Sequence, residues 1–320
     1  MVNDFIRDIS FHTGISESKI KTFLFMPNNN YIDYYKKASV PKKNGGKRIV
    51  YMPTPELKKI QYYLREKYFS LYPIHDSATA YRSNKSVRDN ALVHRNNSSF
   101  LFIDVHDFFN SIDFDLLVEK MLQLDSNILG KHDLTIALLL ASHKREFVQG
   151  CVTSPMLSNI FMNDVDKEIV EIVERLPYGR YSRYSDDMTI SSSKEIPVEI
   201  LKEIEKILFK NKLEINRKKT HFSSNIDNVI ITGVRIKRNG SVSLSTQFKK
   251  DLKTRIYHKL KFKNNSNEDA SILLGLLNYL KMIDPQYFNR INSKFISEDG
   301  LTCCERLKRL IADEKTKNRN

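Results

Sequence analysis

The sequence is poor in the features that mark several protein classes. Its 320 residues include three cysteines, Cys151, Cys303 and Cys304. Adjacent cysteines do not easily pair and no Cys-x-x-Cys spacing occurs, so neither a disulfide framework nor a zinc site is indicated. A reducing, cytoplasmic setting fits this usage. No run of about 18 apolar residues exists, so no transmembrane helix and no membrane partner are expected; the longest candidate covers only residues 134–141. The first ten residues carry Asp4, Arg7 and Asp8 within an apolar pattern, unlike a signal peptide. No internal repeat is visible. Negative charge is also scarce: 38 Asp and Glu stand against 52 Lys and Arg, a formal net charge of +14. With 41% hydrophobic and 28% charged residues the chain is globular rather than disordered, and its length suits one large or two modest domains. An excess of this sign points to a polyanionic partner, nucleic acid before membrane. It is unevenly placed: residues 211–263 hold 14 Lys and Arg and 3 Asp and Glu, a net of +11.

The patterns mix strands and helices without regular βαβ alternation, which argues for an α+β fold with an antiparallel sheet. Residues 36–53 read as a hairpin turning at Asn44-Gly45-Gly46 and ended by Pro53 and Pro55. Leu57, Ile60, Leu64 and Tyr68 then recur at helical spacing. Phe100-Leu101-Phe102-Ile103 is a short apolar run, consistent with a buried strand that ends at Asp104. Ser154-Pro155 is a helix start with Ser154 as N-cap, followed by one apolar face through Leu157, Ile160, Phe161, Val165, Ile169 and Ile172. Residues 180–191 read as two short strands around Ser185-Asp186-Asp187, and 198–210 as an amphipathic helix. The β-branched run 229–236 turns back at Asn239-Gly240 into 241–244. Beyond it the pattern is helical and basic, with a break at 264–267 and a solvated tail at 315–320.

Two acidic features stand out in so basic a chain: Asp104 at a strand end and Asp186-Asp187 in a tight turn. Asp is common in turns, and a lone acid can cap an element, so neither feature is specific alone. Carboxylates brought close together need a cation, and hard oxygen ligands select Mg²⁺. Two such ions suit a nucleotidyl transfer, in which a hydroxyl is activated and pyrophosphate leaves.

The order of these blocks resembles the reverse transcriptase family, and within it the bacterial retron type, over residues 36–236. Phe102-Ile103-Asp104-Val105-His106-Asp107-Phe108-Phe109 resembles the first palm motif. Gln149-Gly150-Cys151-Val152-Thr153-Ser154-Pro155 with Leu157-Ser158-Asn159 resembles the second, Arg183-Tyr184-Ser185-Asp186-Asp187 the YxDD motif, and residues 213–220 the fourth. The resemblance implies a right-hand polymerase: fingers with N-terminal helices over 1–98, palm over 99–238, and a helical thumb with RNA-binding role over 239–320. It implies that Asp104, Asp186 and Asp187, with the backbone carbonyl of Val105, hold two Mg²⁺ ions, and that Lys219 protonates the leaving pyrophosphate. It implies deoxynucleoside triphosphate contacts from Arg48 (with Lys47 assisting) and Gln149 and Gly150. Asp107 and Phe108 of the first motif are expected to bind the nucleotide as well, with Phe108 also suited to the core. Phe109 takes the place of the bulky sugar gate that collides with a 2′-OH.

Asn90-Ala91-Leu92-Val93-His94 matches the NAxxH pattern of retron enzymes, and Ile231-Thr232-Gly233 departs from their VTG triplet only by Ile for Val. Asn90, His94, Thr232 and Gly233 are therefore expected at the RNA, although a lone histidine is more often structural. Lys249, Lys250, Lys253 and Arg255 lie on a basic helical face whose opposite side carries Phe248, Leu252, Ile256 and Leu260. Phosphates suit that face. The retron resemblance further implies a cognate structured noncoding RNA as template and partner, priming from a guanosine 2′-OH to give branched RNA-linked single-stranded DNA, an accessory effector protein, and a role in antiphage defence. Another bacterial reverse transcriptase, of the intron or abortive-infection type, a noncatalytic RNA-binding scaffold and an RNA-dependent RNA polymerase stay open as alternatives at this point.

Overall fold

The computed structural model describes residues 2–24, 34–41, 45–224, 229–262 and 269–317. Asn44 of the expected first turn, Lys263, the break at 264–267 and the end of the tail at 318–320 lie outside the described residues. The elements are, in order, α1 (Val2–Thr13), α2 (Glu17–Leu24), β1 (Tyr35–Pro41), β2 (Lys47–Pro53), α3 (Pro55–Lys67), α4 (Val87–Leu92), β3 (Ser99–Asp104), α5 (Phe114–Leu124), α6 (Lys131–Ala141), α7 (Ser154–Phe161) and α8 (Asn163–Val173). Then follow β4 (Arg180–Tyr184), β5 (Asp187–Ser192), α9 (Val198–Lys210), β6 (His221–Ser223), β7 (Ile230–Ile231), β8 (Val234–Ile236), β9 (Val242–Ser243), α10 (Thr246–Lys261), α11 (Ala270–Ile283), α12 (Pro285–Lys294) and α13 (Cys303–Lys317). Contacts group the chain into two compact units, residues 1–85 with 99–223 and residues 86–98 with 224–320. This division differs from breaks at 98/99 and 238/239. Among the described residues no helix is long and apolar enough to cross a membrane.

In the first unit the central sheet runs β4-β5-β3-β6, every pair antiparallel. Side chains alternate across a strand. Leu101, Ile103 and Val105 therefore point into the main core, shared with Leu157, Ile160 and Ile169 of the α7 and α8 helices. Asp104 falls on the other face. Its carboxylate thus escapes the core, where an unpaired charge is prohibitively costly. The β1–β2 hairpin stands apart as a two-stranded sheet, in register from Tyr35↔Pro53 to Pro41↔Lys47. Pro55 starts α3, and Leu57, Ile60 and Leu64 are buried on its inner face.

One helix start differs from expectation. Ser154 is the first residue of α7 rather than its cap, and Thr153 precedes it. Thr153 does not cap either, because its hydroxyl donates to the Ala141 carbonyl at 2.8 Å. The expected single apolar face is carried by two helices, which break at Met162.

In the second unit a three-stranded antiparallel sheet, β7-β8-β9, packs on α4, and the helices α10 to α13 pack on one another. The run 229–236 is two strands rather than one. It turns at Thr232 (φ +47°) and Gly233 (φ +82°), a two-residue loop of the kind that suits hairpin twist. A β-branched residue with positive φ is strained, and the Asn90 side-chain amide holds Thr232 by donating to its hydroxyl at 3.3 Å. That bond brings the two retron-like signatures together and draws 86–98 into this unit.

On α10, Leu252, Ile256 and Leu260 are buried as expected. The lysines divide. Lys249 is turned inward, 2.6 Å from Asp284 and from the Ser243 hydroxyl, and Lys259 is buried beside Glu314. Lys250 and Lys253 face solvent, and Arg255 is half-buried near Asp251. Lys249 is therefore a structural cation rather than part of an open basic face. Replacing it with methionine leaves the Asp284 carboxylate buried without its cation and is expected to cost about 3 kcal/mol. Lys250→Met is expected to be neutral in the same urea titration.

Candidate active site

The end of β3 is held from both sides. Asp104 is paired in register with Asp187, the first residue of β5, and the Val105 amide donates to the Asp186 carbonyl at 3.1 Å. On the other side the Asn216 amide donates to the Asp104 carbonyl at 2.7 Å, and the His106 amide to the Glu214 carbonyl at 2.8 Å. A turn closed by the Lys219 amide on the Asn216 carbonyl then places the Lys219 ammonium 2.7 Å from Asp104 Oδ2. Three carboxylates and one ammonium from distant parts of the sequence thus converge.

The turn carrying Asp186 is itself propped from below. Tyr184 and Asp187 pair across a two-residue loop whose first residue, Ser185, has φ +63°. The Ser185 carbonyl accepts a hydrogen bond from the Arg183 guanidinium at 3.1 Å. Arg183 is fully buried and pairs with an equally buried Asp166 of α8, 2.7 Å away; the Tyr181 hydroxyl also donates to Asp166 at 2.7 Å. A guanidinium fork is suited to serve a carboxylate and a carbonyl at once. Neither Arg183 nor Asp166 is singled out by the motif reading. Asp166 shares its helix with Asp164, Glu168 and Glu171, so the local sequence does not mark it; only its burial against Arg183 does.

Burial, together with the negative charge of Asp104, raises the Asp186 pKa. Burial and the charges of Asp186 and Asp104 push Asp187 up to about 6. The Lys219 ammonium is held protonated by its hydrogen bond to Asp104. Mutual repulsion among hard oxygen donors is the condition a divalent cation relieves, so the donor set fits Mg²⁺. Among the described residues, no three His, Cys, Asp or Glu side chains are already gathered as a metal cage. Lys219 takes an oxygen of Asp104 instead.

These groups open into a cleft of about 460 Å³ lined by Arg48 and Val50 of β2, Tyr81, Phe109, Gln149, Gly150, Ser154 and residues 184–187. The expected nucleotide contacts Arg48, Phe109, Gln149 and Gly150 therefore share one wall-to-wall space with Asp186 and Asp187. Phe108 does not join them: it is buried in the core. Asp107 (φ +43°) is exposed, 4.0 Å from His106. Gly150 has a reason beyond nucleotide approach. Its φ is +102°, and a Cβ there would lie 2.6 Å from the Tyr51 carbonyl oxygen. The Tyr51 amide donates to the Gln149 carbonyl at 2.7 Å, so Gly150 is what lets the β1–β2 hairpin dock on this loop. Tyr81 was not expected from the motifs at all. In the second unit Asn90 and His94 are buried, while Thr232 is half-buried and Gly233 exposed.

Two outcomes follow from this geometry. A carboxylate whose folded-state pKa is raised weakens the fold once it ionises. That cost is absent below its ordinary pKa of 3.8 and complete above about 6. Asp187→Asn is therefore expected to raise Tm in metal-free buffer at pH 8. The gain should shrink through pH 6 and vanish near pH 4, softened because Asp187 keeps solvent access; an equal gain at pH 4 and pH 8 would overturn it. Gly150→Ala is expected to cost about 2 kcal/mol through backbone strain and to loosen the hairpin, measured by denaturant titration and by hydrogen exchange at the Tyr51 amide.

Residues 40–249 match the model of the family described as reverse transcriptase (RNA-dependent DNA polymerase). The chain is 31% identical to the retron Ec83 reverse transcriptase of Escherichia coli, over 82% of this chain and 87% of that one. It is 28% identical to the retron Ec73 reverse transcriptase of the same organism with the same coverage, and 24% identical to the retron Mx65 reverse transcriptase of Myxococcus xanthus over 89% and 69%. Among solved structures, apo telomerase from Candida tropicalis superposes with a TM-score of 0.51 at 13% identity, over 84% of this chain and 59% of that one, a likeness of fold alone. The fold is the right-hand polymerase fold, and the chain belongs to the reverse transcriptases of the bacterial retron type, RNA-directed DNA polymerases.

Proposed function

We propose that this enzyme copies a cognate structured noncoding RNA into RNA-linked single-stranded DNA at the cleft bounded by β2, β3 and the β4–β5 turn. The observation that carries the reading is the in-register meeting of Asp104 with Asp187, next to the cleft that Asp186 and Asp187 share with Arg48, Phe109 and Gln149. Asp104, Asp186 and Asp187, with the Val105 carbonyl, would hold two Mg²⁺ ions. When bound, these supply charge neutralisation on the transferring phosphoryl group and activation of the attacking hydroxyl. Arg48 grips the triphosphate of the incoming deoxynucleotide by its planar fork. Gln149 hydrogen-bonds that nucleotide, and the Phe109 ring excludes a 2′-OH. Lys219, protonated beside Asp104, serves as the proton donor to leaving pyrophosphate.

The second unit supplies the RNA surface in this reading. Lys294 lies close enough to Lys253 to lower its pKa, and two neighbouring ammonium groups at an exposed site favour an anion between them. Lys250 and Arg255 extend that surface. Asn90 and His94 act beneath it by shaping the Thr232-Gly233 loop, which presents itself to RNA. Fingers, palm and thumb are assigned to 1–98, 99–238 and 239–320. The retron resemblance extends the proposal to priming from a guanosine 2′-OH, a cytoplasmic location, an accessory effector protein and antiphage defence.

The test is to express the gene with its flanking DNA and isolate single-stranded DNA bound to RNA through a debranching-sensitive 2′ linkage. Wild type is expected to yield it, and Asp186→Asn with Asp187→Asn to abolish it along with Mg²⁺-dependent deoxynucleotide incorporation. Undiminished synthesis by the double variant would remove the metal assignment. Synthesis from unlinked primers only would remove the branched product.

A further inference from the structure

Tyr81 combines three features that nothing in the motif reading assigns. Its backbone is left-handed, with φ +60°, a conformation bulky residues avoid. Its hydroxyl donates to the Ser185 hydroxyl at 3.0 Å, on the carboxylate turn. Its ring lies 6.3 Å from that of Phe109, at 49°, within the range of direct aromatic contact. All three residues line the same cleft.

The strain is imposed by the surroundings. The segment before Tyr81 runs beside β4: Ala78 bridges Arg183 in parallel, the Arg183 amide donates to the Ser77 carbonyl at 2.8 Å, and the Thr79 amide returns to the Arg183 carbonyl at 2.8 Å. The Ala80 carbonyl is then held by the buried Asn159 side chain of α7 at 2.9 Å. Three hydrogen bonds thus determine where residue 81 must stand and hold it at its unusual φ. Strain maintained by so many contacts beside reacting groups is a mark of function.

We propose that Tyr81 is a specificity-determining residue for sugar choice. Its ring buttresses Phe109 so that the gate cannot tilt away from a 2′-OH, and its hydroxyl keys the buttress to the Ser185 turn. The inference rests on Phe109 being the gate. A gate ring free to rotate admits the extra hydroxyl, since an unsupported apolar wall rejects an added group by only a modest factor.

The test measures kcat/KM for single incorporation of dGTP and GTP by the full chain on an RNA template with a DNA primer. The variants are Phe109→Ala, Tyr81→Ala, Tyr81→Gly and Tyr81→Phe. Tyr81→Gly relieves the left-handed strain, so it guards against a variant that merely fails to fold. Tyr81→Ala and Tyr81→Gly are expected to raise ribonucleotide kcat/KM by about tenfold, while Tyr81→Phe, which keeps the ring but loses the bond to Ser185, gives a smaller gain. A gain of ribonucleotide use is not what a damaged fold produces. In the Phe109→Ala background Tyr81→Ala should add less than about twofold, because the two residues act as one unit. If Phe109→Ala relaxes discrimination and both Tyr81 variants keep it, or lower both sugars equally, the Tyr81 role is overturned. If Phe109→Ala itself leaves discrimination intact, the gate reading falls first.

Discussion

The active site depends on a buried ion pair that touches no substrate. Arg183 and Asp166 are both fully enclosed, and the guanidinium reaches past its partner to the Ser185 carbonyl. A buried pair of this kind adds little net stability, because removing two charges from water is costly. Its value here is positional. Ser185 must be left-handed for Asp186 and Asp187 to leave the turn side by side with Asp104, and a carbonyl anchored from below keeps it so. The same strand carries the backbone bonds that set Tyr81. One short strand therefore aligns the carboxylates and the residue beside Phe109.

The carboxylates themselves work against the fold. Burial and mutual repulsion raise Asp186 and Asp187, and Lys219 offsets the charge through Asp104. A protein with 52 Lys and Arg has cations in abundance, and among the described residues Lys219 is the cation paired with these acids. Neutralising them with several fixed lysines would stabilise the chain and occupy their oxygens. Perturbed titration in a cleft is thus the cost of holding a reactive arrangement, as at many catalytic sites. The second unit shows the opposite solution, where Lys249 and Asp284 are enclosed together and cancel.

Much of the fold was legible from local pattern. The hairpin over 36–53, the strand ending at Asp104, the paired strands around Ser185-Asp186-Asp187 and the helix at 198–210 follow from periodicities of 2 and 3.6 and from turn residues. What escaped was local chemistry overridden by distant partners. Ser154 looks like a cap, yet the helix begins on it, and the Thr153 hydroxyl turns to Ala141. The run 229–236 reads as one strand because Thr232 gives no sign that it adopts positive φ; Asn90, far away in sequence, holds it there. Lys249 reads as one of a basic row, and only Asp284 distinguishes it.

The sequence by itself determined most of the elements and their order, and it marked Asp104 and Asp186-Asp187 as acids at a strand end and in a turn, because each is written within a dozen residues. Tertiary structure decided which of those residues meet. Lys219 reaches Asp104 across 115 positions and Tyr81 reaches Ser185 across 104. Gly150 is explained by the backbone of Tyr51 rather than by its own neighbours. No periodicity encodes such pairs. They exist because an antiparallel sheet lays strands from different parts of the chain side by side, and close packing leaves one arrangement for the groups between them.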